Sequence, residues 1–235
     1  MSTMKLPKET KNANGGHGRW YGDACGTAFA MEVIGERWAL LIVRELMLGG
    51  RRFSDIRASL PGISAKVLTE RLESLEAASV LVRRELPPPG KAQVYELTEW
   101  GLAAEPLIQE AGRWAAQSSA HDPLLPLSPV SLMLSLRTMV PHQRLPQFAR
   151  RVFGFSIGAD EFLVEPTFRE LPIRRAPVRE ADAVVRAPAA SIIAGAIYAG
   201  VPWEDLERDA GLSIEGNRDL ALRFAGIFKL PPKLA

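Results

Sequence analysis

The hydrophobic positions in the first half of the chain follow the 3.6-residue period of helices. Residues 27–34 and 38–48 are apolar at helical spacing, and Gly35 between them indicates a bend. The pair Gly49 and Gly50 is predicted to end the second helix, because glycine commonly follows a helix C-terminus. The chain therefore begins with two predicted helices after a polar leading segment.

Two more helices are predicted directly afterwards. Ser54 is the expected N-cap of a short helix that ends at Pro61 and Gly62. Ser64 is the expected N-cap of the next one, which runs to about Ala78. Two short helices joined by a tight Pro-Gly turn are typical of a helix-turn-helix.

A pair of β-rich segments follows these helices. Residues 80–86 and 93–97 predict a hairpin with a proline-rich tip, and Thr98 is predicted to cap a long helix to about Gln117. A helix-turn-helix followed by a β-hairpin is the winged arrangement of many DNA-binding domains.

The second half of the chain predicts a mixture of helices and strands. Helices are expected at residues 129–140 and 188–199 and after Asn217 as N-cap, with strands at residues 148–157, 161–168, 183–186 and 213–215. The fold class is therefore α+β. The predicted division is a flexible arm (residues 1–18), a winged helix-turn-helix and dimerisation domain (19–120), a proline-rich linker (121–130) and a second α+β domain (131–235).

Composition limits the possible partners. Net charge is only +2, so any nucleic-acid surface must be local. Residues 51–91 carry eight basic against five acidic side chains, an excess larger than that of the whole chain. No apolar run approaches the roughly 20 residues that span a bilayer, and the single cysteine favours a reducing, cytoplasmic setting without membrane contact.

The helix after Ser64 has two distinct faces. Leu68, Leu72 and Leu75 fall together toward the core, and Lys66, Thr69, Glu70 and Glu73 fall on or near the opposite side. A solvated face is one interpretation. The other is a recognition helix whose N-terminus binds phosphate while its polar side chains reach base edges, with basic residues nearby. The predicted DNA-contacting residues are Ser64, Ala65, Lys66, Thr69, Arg71, Arg51, Arg52, Arg84 and Lys91.

These segments resemble the HxlR-type winged-helix transcriptional regulators of bacteria. The resemblance covers about half of the chain and rests on I-G-x-R/K-W, L-L-I-x-R-E-L, R-F-S-x-I, L-P-G-I-S, L-T-x-R-L-x-x-L-E and Y-x-L-T-x-x-G. It implies a homodimer on pseudo-palindromic double-stranded DNA, paired through residues 27–34 and 98–117. Two departures are Cys25-Gly26, where the family usually has Cys-Pro, and Ser79-Val80-Leu81, where it often has Gly-Leu-Val.

The second half resembles sterol-carrier-protein domains, mainly in residues 212–224 and its apolar helices. The resemblance implies a sheet covered by helices around an apolar cavity for a small hydrophobic or aromatic effector. Plain core packing is the alternative for each candidate. The candidate pocket residues are Leu132, Met133, Met139, Phe148, Phe155, Ile193, Tyr198, Trp203 and Phe224.

Catalysis and metal binding find little support in the sequence. Residues 154–158 spell G-x-S-x-G, but all three histidines precede the serine and no esterase triad can form in the required order. The histidines have no metal-ligand spacing, and no cofactor is expected. Cys25 is either a redox-sensing thiol at a helix N-terminus or a small residue at a dimer interface. The expected protein is a ligand-responsive regulator and not an enzyme; a lipid or aromatic carrier and a redox-sensing regulator are the alternatives.

Overall fold

A computed structural model of the chain describes residues 21–86 and 92–234. The predicted arm and Lys91 at the hairpin tip lie outside the described residues. The first half is a bundle of helices with a two-stranded antiparallel hairpin. Its elements are α1 (Gly26–Ile34), α2 (Ala39–Leu46), α3 (Phe53–Ser59), α4 (Ala65–Ala77), β1 (Leu81–Glu85), β2 (Gln93–Leu97), α5 (Glu99–Leu102) and α6 (Glu105–Ala115).

Helix α4 confirms the prediction from its sequence. The Ser64 hydroxyl accepts a hydrogen bond from the backbone N–H of Val67 at 3.2 Å, which caps the helix. Leu68, Leu72 and Leu75 are buried along one face of the helix. Gly62, in the turn before the cap, has a φ of 93°, a left-handed conformation that favours glycine.

Two predicted features of the first half are wrong. Helix α3 begins at Phe53 with Arg52 at the N-cap, and the Ser54 hydroxyl donates to the Asp55 carboxylate at 3.1 Å instead of capping the helix. Thr98 caps only the short α5, and a separate α6 follows with Pro106 in its first turn. A proline inside one continuous helix would lack an N–H and clash with the preceding turn, so the chain starts a new helix there.

The second half packs helices against a five-stranded sheet. Its elements are α7 (Pro129–Met139), a 3₁₀ helix (His142–Phe148), β3 (Phe153–Ile157), β4 (Asp160–Val164), β5 (Ile173–Arg175), β6 (Ala183–Ala187), α8 (Ala190–Tyr198), α9 (Trp203–Asp209), β7 (Ser213–Gly216) and α10 (Arg218–Ala225). The strand order is β5-β4-β3-β6-β7, and only the central pair β3 and β6 is parallel. Phe155, Phe162 and Val185 lie side by side on the face that forms the main core.

Three features of this half differ from the sequence prediction. The first strand begins at Phe153, because residues 142–148 form a 3₁₀ helix that contains Pro146. Strand β5 is too short, at three residues, to show an alternating pattern. Helix α9 was also missed; it has no fully buried residue, so its apolar stripe is weak.

The two halves are packed against each other through a continuous hydrophobic core. Arg137 of α7 donates to Glu105 of α6 at 2.6 Å, and Arg113 of α6 donates to the carbonyl of Thr138 at 2.8 Å. Near the C-terminus, the Lys233 ammonium donates to the carbonyls of Ala116, Ser118 and His121 at 3.0, 2.9 and 3.1 Å. The predicted linker therefore joins two regions that are in direct contact. Within the described part of the chain, no helix has the length and apolar character needed to cross a membrane.

Candidate nucleic-acid interface

The outward face of α4 presents an exposed polar surface. Lys66 has 86% of its side chain exposed, and its ammonium lies 3.9 Å from the Glu70 carboxylate one turn later. Ala65 and Thr69 are also exposed, and the Thr69 hydroxyl donates to the carbonyl of Ala65 at 3.0 Å. An exposed lysine on a weak helical ion pair can exchange that partner for a phosphate or a base edge at little cost.

The N-terminus of α4 combines its cap with available backbone donors. The Ser64 hydroxyl oxygen is already the acceptor for Val67, so its capping role limits what else it can accept. The hydroxyl proton can still be donated, and the first N–H groups of a helix have no intrahelical acceptor. This end of α4 therefore suits an anion such as a phosphate.

The predicted arginines divide into exposed and internal ones. Arg52 is exposed at the N-cap of α3, and Arg84 is 67% exposed on β1, where it pairs with Glu96 at 3.0 Å. Arg71 is only 22% exposed and forms an ion pair with Glu36. Its burial follows from its position on the side of α4 that faces the segment between α1 and α2.

Arg51 is placed differently from the sequence prediction. Its side chain is 11% exposed and its guanidinium lies 3.6 Å from the Asp160 carboxylate at the start of β4. The sequence prediction counted Arg51 with Arg52 among the DNA-contacting residues. The second half of the chain covers it instead, which the local sequence does not reveal.

Two further arginines near this surface were not among the predicted contacts. Arg57 is exposed on α3 and has no ion pair among the described residues. Arg83 on β1 donates to Glu76 at 2.9 Å and lies over the ring of Tyr95, and the hydrogen bond to Glu76 raises the pKa of Arg83 above its usual range. Both contribute to the charge excess of residues 51–91, but of these two arginines Arg57 alone has no ion-pair partner in the part of the chain that the structure describes.

The candidate pocket residues of the second half are mostly core. Phe224 stacks on Phe153 with ring centroids 3.8 Å apart, and Phe148 packs edge-on against Phe224 at 5.3 Å. The Tyr198 hydroxyl is 2.9 Å from that of Ser135, and burial raises the pKa of Tyr198. The fully buried members are Leu132, Met133, Phe148, Phe155, Ile193 and Phe224, whereas Met139, Tyr198 and Trp203 are partly buried.

Two surface cavities in the described ranges lie elsewhere. One, of about 400 Å³, opens between α6, α7 and the segment before β5, and includes Glu105, Arg137 and His142. The other, of about 250 Å³, lies against the start of α1 and includes Tyr21 and Glu32. Neither is lined by a candidate pocket residue.

Cys25 is an exposed thiol at the N-cap of α1. The backbone N–H groups of Thr27 and Ala28 lower its pKa, because they stabilise the thiolate. A lowered thiol pKa and exposure are both features of reactive cysteines.

Helices α1, α5 and α6 carry an exposed apolar surface. The described residues of α6 include none that is fully buried, although its sequence is amphipathic. The exposed large apolar side chains on these helices include Met31 (42%), Trp100 (49%), Leu102 (47%), Leu107 (43%) and Trp114 (75%). Exposed apolar side chains that share one surface are a feature of protein–protein contacts.

A capped, outward-facing second helix beside a β-hairpin defines a winged helix-turn-helix protein. The sequence pattern of the HxlR-like helix-turn-helix family matches residues 33–123. The HTH-type regulator YvaP of Bacillus subtilis is 40% identical over 88 residues, which cover 37% of this chain and 82% of YvaP. The chain belongs to the HxlR-like helix-turn-helix family of transcriptional regulators, which are not enzymes.

A second relative agrees with this assignment. The HTH-type transcriptional regulator YodB of B. subtilis is 41% identical over 88 residues, covering 37% of this chain and 79% of YodB. The solved structure of reduced YodB is 38% identical and covers 42% of this chain and 98% of that one, with a TM-score of 0.38. The family match ends at residue 123, so the second half of the chain lies outside it.

Proposed function

We propose that the chain binds specific DNA sequences with α4 in the major groove and the β1–β2 hairpin beside it. The observation that carries this proposal is the exposed polar face of α4, which starts at a capped N-terminus and includes the highly exposed Lys66. Lys66 and Thr69 are the proposed base-reading residues. Ser64, Ala65 and the first backbone N–H groups are the proposed phosphate contacts.

The exposed arginines extend this surface. Arg52 and Arg84 are proposed to contact the phosphate backbone on either side of the groove. Glu70 and Glu73 share the outward side of α4 and repel phosphate, so one copy of the helix is expected to bind weakly. Arg51 and Arg71 are engaged by Asp160 and Glu36, and are not proposed as direct contacts in this arrangement.

Dimerisation would bring a second copy of α4 to the DNA. The exposed apolar side chains of α1 and α6 are the proposed contact, which would be isologous in a homodimer. Such a dimer matches a pseudo-palindromic site whose half-sites lie about one helical turn apart.

Lys66→Ala tests this function directly. Duplexes are selected from a random pool by the wild-type protein, and the best one is used to measure affinity. Removing a base contact is expected to weaken binding by about 1–3 kcal/mol. Lys229→Ala is the matched control, since Lys229 is an exposed lysine in the second half. Failure of the wild type to enrich any sequence, or equal effects of the two variants, would contradict the proposal.

The second half is proposed to be a sterol-carrier-like domain that binds a small hydrophobic or aromatic effector. Its sheet covered by helices and its aromatic-rich core support this role. The core is closed around Phe224, so a ligand would have to displace packed side chains and could act only by favouring one arrangement of the protein. Binding of aromatic probes with a change in DNA affinity would support it. Ligand binding without selected DNA would favour the carrier alternative.

A redox response through Cys25 is a second candidate, which the exposed thiol and its lowered pKa support. Oxidation or alkylation of this cysteine, next to the proposed dimer contact of α1, would alter the dimer. Cys25→Ser is expected to abolish any loss of DNA binding on treatment with peroxide or a quinone. An unchanged response in this variant would exclude the role.

A further inference from the structure

A partly buried group of charges joins the two halves at the base of the helix-turn-helix. It consists of Glu45 on α2, Arg51, Asp160 at the start of β4 and Arg175 on β5, and is called here the interface charge cluster. Arg175 pairs with Asp160 and lies over the ring of Phe162 at 4.8 Å, while Arg51 approaches the same carboxylate at 3.6 Å. The Asp160 carboxylate in the second half therefore forms an ion pair with one arginine from each half.

Glu45 forms the side of this cluster that lies in the first half of the chain. It is 1% exposed, and its carboxylate accepts hydrogen bonds from the Ser128 hydroxyl at 2.7 Å and from Arg44 at 2.8 Å. Burial lowers the pKa of Arg175 and so does the charge of Arg51, whereas Asp160 and Glu45 raise it. The two arginines repel each other and depend on the two carboxylates to stay together.

The cluster is not fully satisfied. Several of its buried atoms have no hydrogen-bond partner among the described residues: Glu45 Oε2, Arg51 Nη1, Arg175 Nε and Arg175 Nη2. An unsatisfied buried polar atom opposes the arrangement that buries it. The charge pairs add to the hydrophobic contact between the halves, but these atoms oppose them, which leaves the cluster itself sensitive to a single substitution.

Arg51 connects the cluster to the proposed DNA-binding surface. Its backbone N–H donates to the carbonyl of Tyr95 at 3.0 Å, and its carbonyl accepts from the Tyr95 N–H at 2.8 Å. This bridge ties the segment before α3 to strand β2 of the hairpin. The next residue is the exposed Arg52 at the N-cap of α3. A shift of Arg51 would move Arg52 and the hairpin relative to α4.

We propose that Asp160 is a positioning residue for DNA reading: it holds Arg51 and thereby sets the placement of the hairpin and Arg52 against α4. The second half of the chain thus takes part in DNA recognition without touching DNA. This inference rests on the proposed DNA-binding function. Through the contact between Asp160 and Arg51, a change in the β3–β4 hairpin would also alter the proposed DNA-binding surface.

The test compares Asp160→Asn with Glu165→Gln, which removes a carboxylate that pairs with Arg174 at 2.9 Å wholly within the second half. Fluorescence anisotropy measures affinity for the selected duplex and for a scrambled duplex of equal length. Asp160→Asn is expected to lower the specific affinity about tenfold, within the range of typical coupling between sites, and to lower scrambled-duplex binding by a smaller factor, because only the specific complex also loses the register of α4 in the groove. Glu165→Gln is expected to change neither.

Arg51→Met completes a double-mutant cycle and replaces the buried charge with a side chain of similar length. It should reduce specific affinity as Asp160→Asn does, and the double variant should lose no more than either single one. If Asp160→Asn does not fold, a folded Arg51→Met protein with wild-type affinity overturns the inference. Unchanged or tighter specific binding by Asp160→Asn, or equal losses on both duplexes, also overturns it while the DNA-binding function stands. A wild type that selects no duplex overturns both.

Discussion

The outward face of α4 and the aromatic core of the second half were both predicted from sequence as sites that bind a partner. They differ in how exposed their residues are. On α4, Lys66, Thr69 and Ser64 remain at the surface after the chain has folded. In the second half, the rings of Phe224 and Phe148 pack against other aromatic rings in edge-on and stacked contacts. Exposure leaves the first set available to a partner, whereas the second set is already occupied by its neighbours.

This difference shows why one kind of site is easier to recognise than the other. The outward face of an amphipathic helix follows from periodicity alone, because the apolar side must face the core. A ligand pocket and a filled core are lined by the same residue types, so only the packing distinguishes them. Substitutions at both sites test this difference.

Phe224→Ala should give the largest effect. Loss of a fully buried ring that contacts three other aromatic side chains is expected to lower the free energy of unfolding by about 3–5 kcal/mol. Chemical denaturation measures this change. Phe168→Ala, at a ring that is 63% exposed, should have little effect. A small loss for Phe224→Ala would mean that the ring lines a cavity.

Ser64→Ala should cost about 1 kcal/mol of stability, because the N–H of Val67 loses its capping acceptor. The same variant is expected to weaken DNA binding, since fraying of the first turn disorders the proposed phosphate contacts. Ser64→Asp retains a capping oxygen and should restore stability but not affinity, because it places a negative charge beside the phosphate. Full affinity in the aspartate variant would show that this turn does not approach DNA.

Tyr198→Phe should cost about 0.5–1.5 kcal/mol, the usual contribution of one hydrogen bond, because the Ser135 hydroxyl loses its contact with Tyr198 at 2.9 Å and keeps only its bond to the carbonyl of Leu132. Thermal unfolding at several denaturant concentrations measures the loss. Ser135→Ala in the same background should add little. If Tyr198→Phe leaves stability unchanged, its hydroxyl is available to a ligand, as the pocket interpretation requires.

Glu215→Gln should give the smallest effect, which is present at neutral pH and disappears in acid. Hydrogen bonds from Arg186 at 2.7 and 3.2 Å lower the pKa of the Glu215 carboxyl. The pair therefore stabilises the fold above the unfolded pKa of about 4.3, and this contribution is lost as pH falls through the lower folded value. Urea midpoints across the acid range should depend less on pH in the variant than in Glu180→Gln. Identical profiles would contradict this.

Much of the first half could be predicted from sequence. The cap at Ser64, the turn at Gly62 and the buried leucine face of α4 each depend on residues a few positions apart. They can therefore be predicted from the local sequence. The break at Pro106 was also available in the sequence, since proline is unfavourable inside a helix. The short strand β5 was not, because three residues do not define a period and their place is set by pairing with β4.

The winged helix-turn-helix and the polar face of α4 follow from local sequence, because periodicity, caps and turn residues act over a few positions. Tertiary packing sets the position of Arg51, which lies beside Arg52 in the chain but pairs with Asp160, more than a hundred residues later. It also decided that Glu45, within an apolar helix, meets the hydroxyl of Ser128. Long-range charge pairs depend on how the two halves pack, and no local pattern encodes that contact.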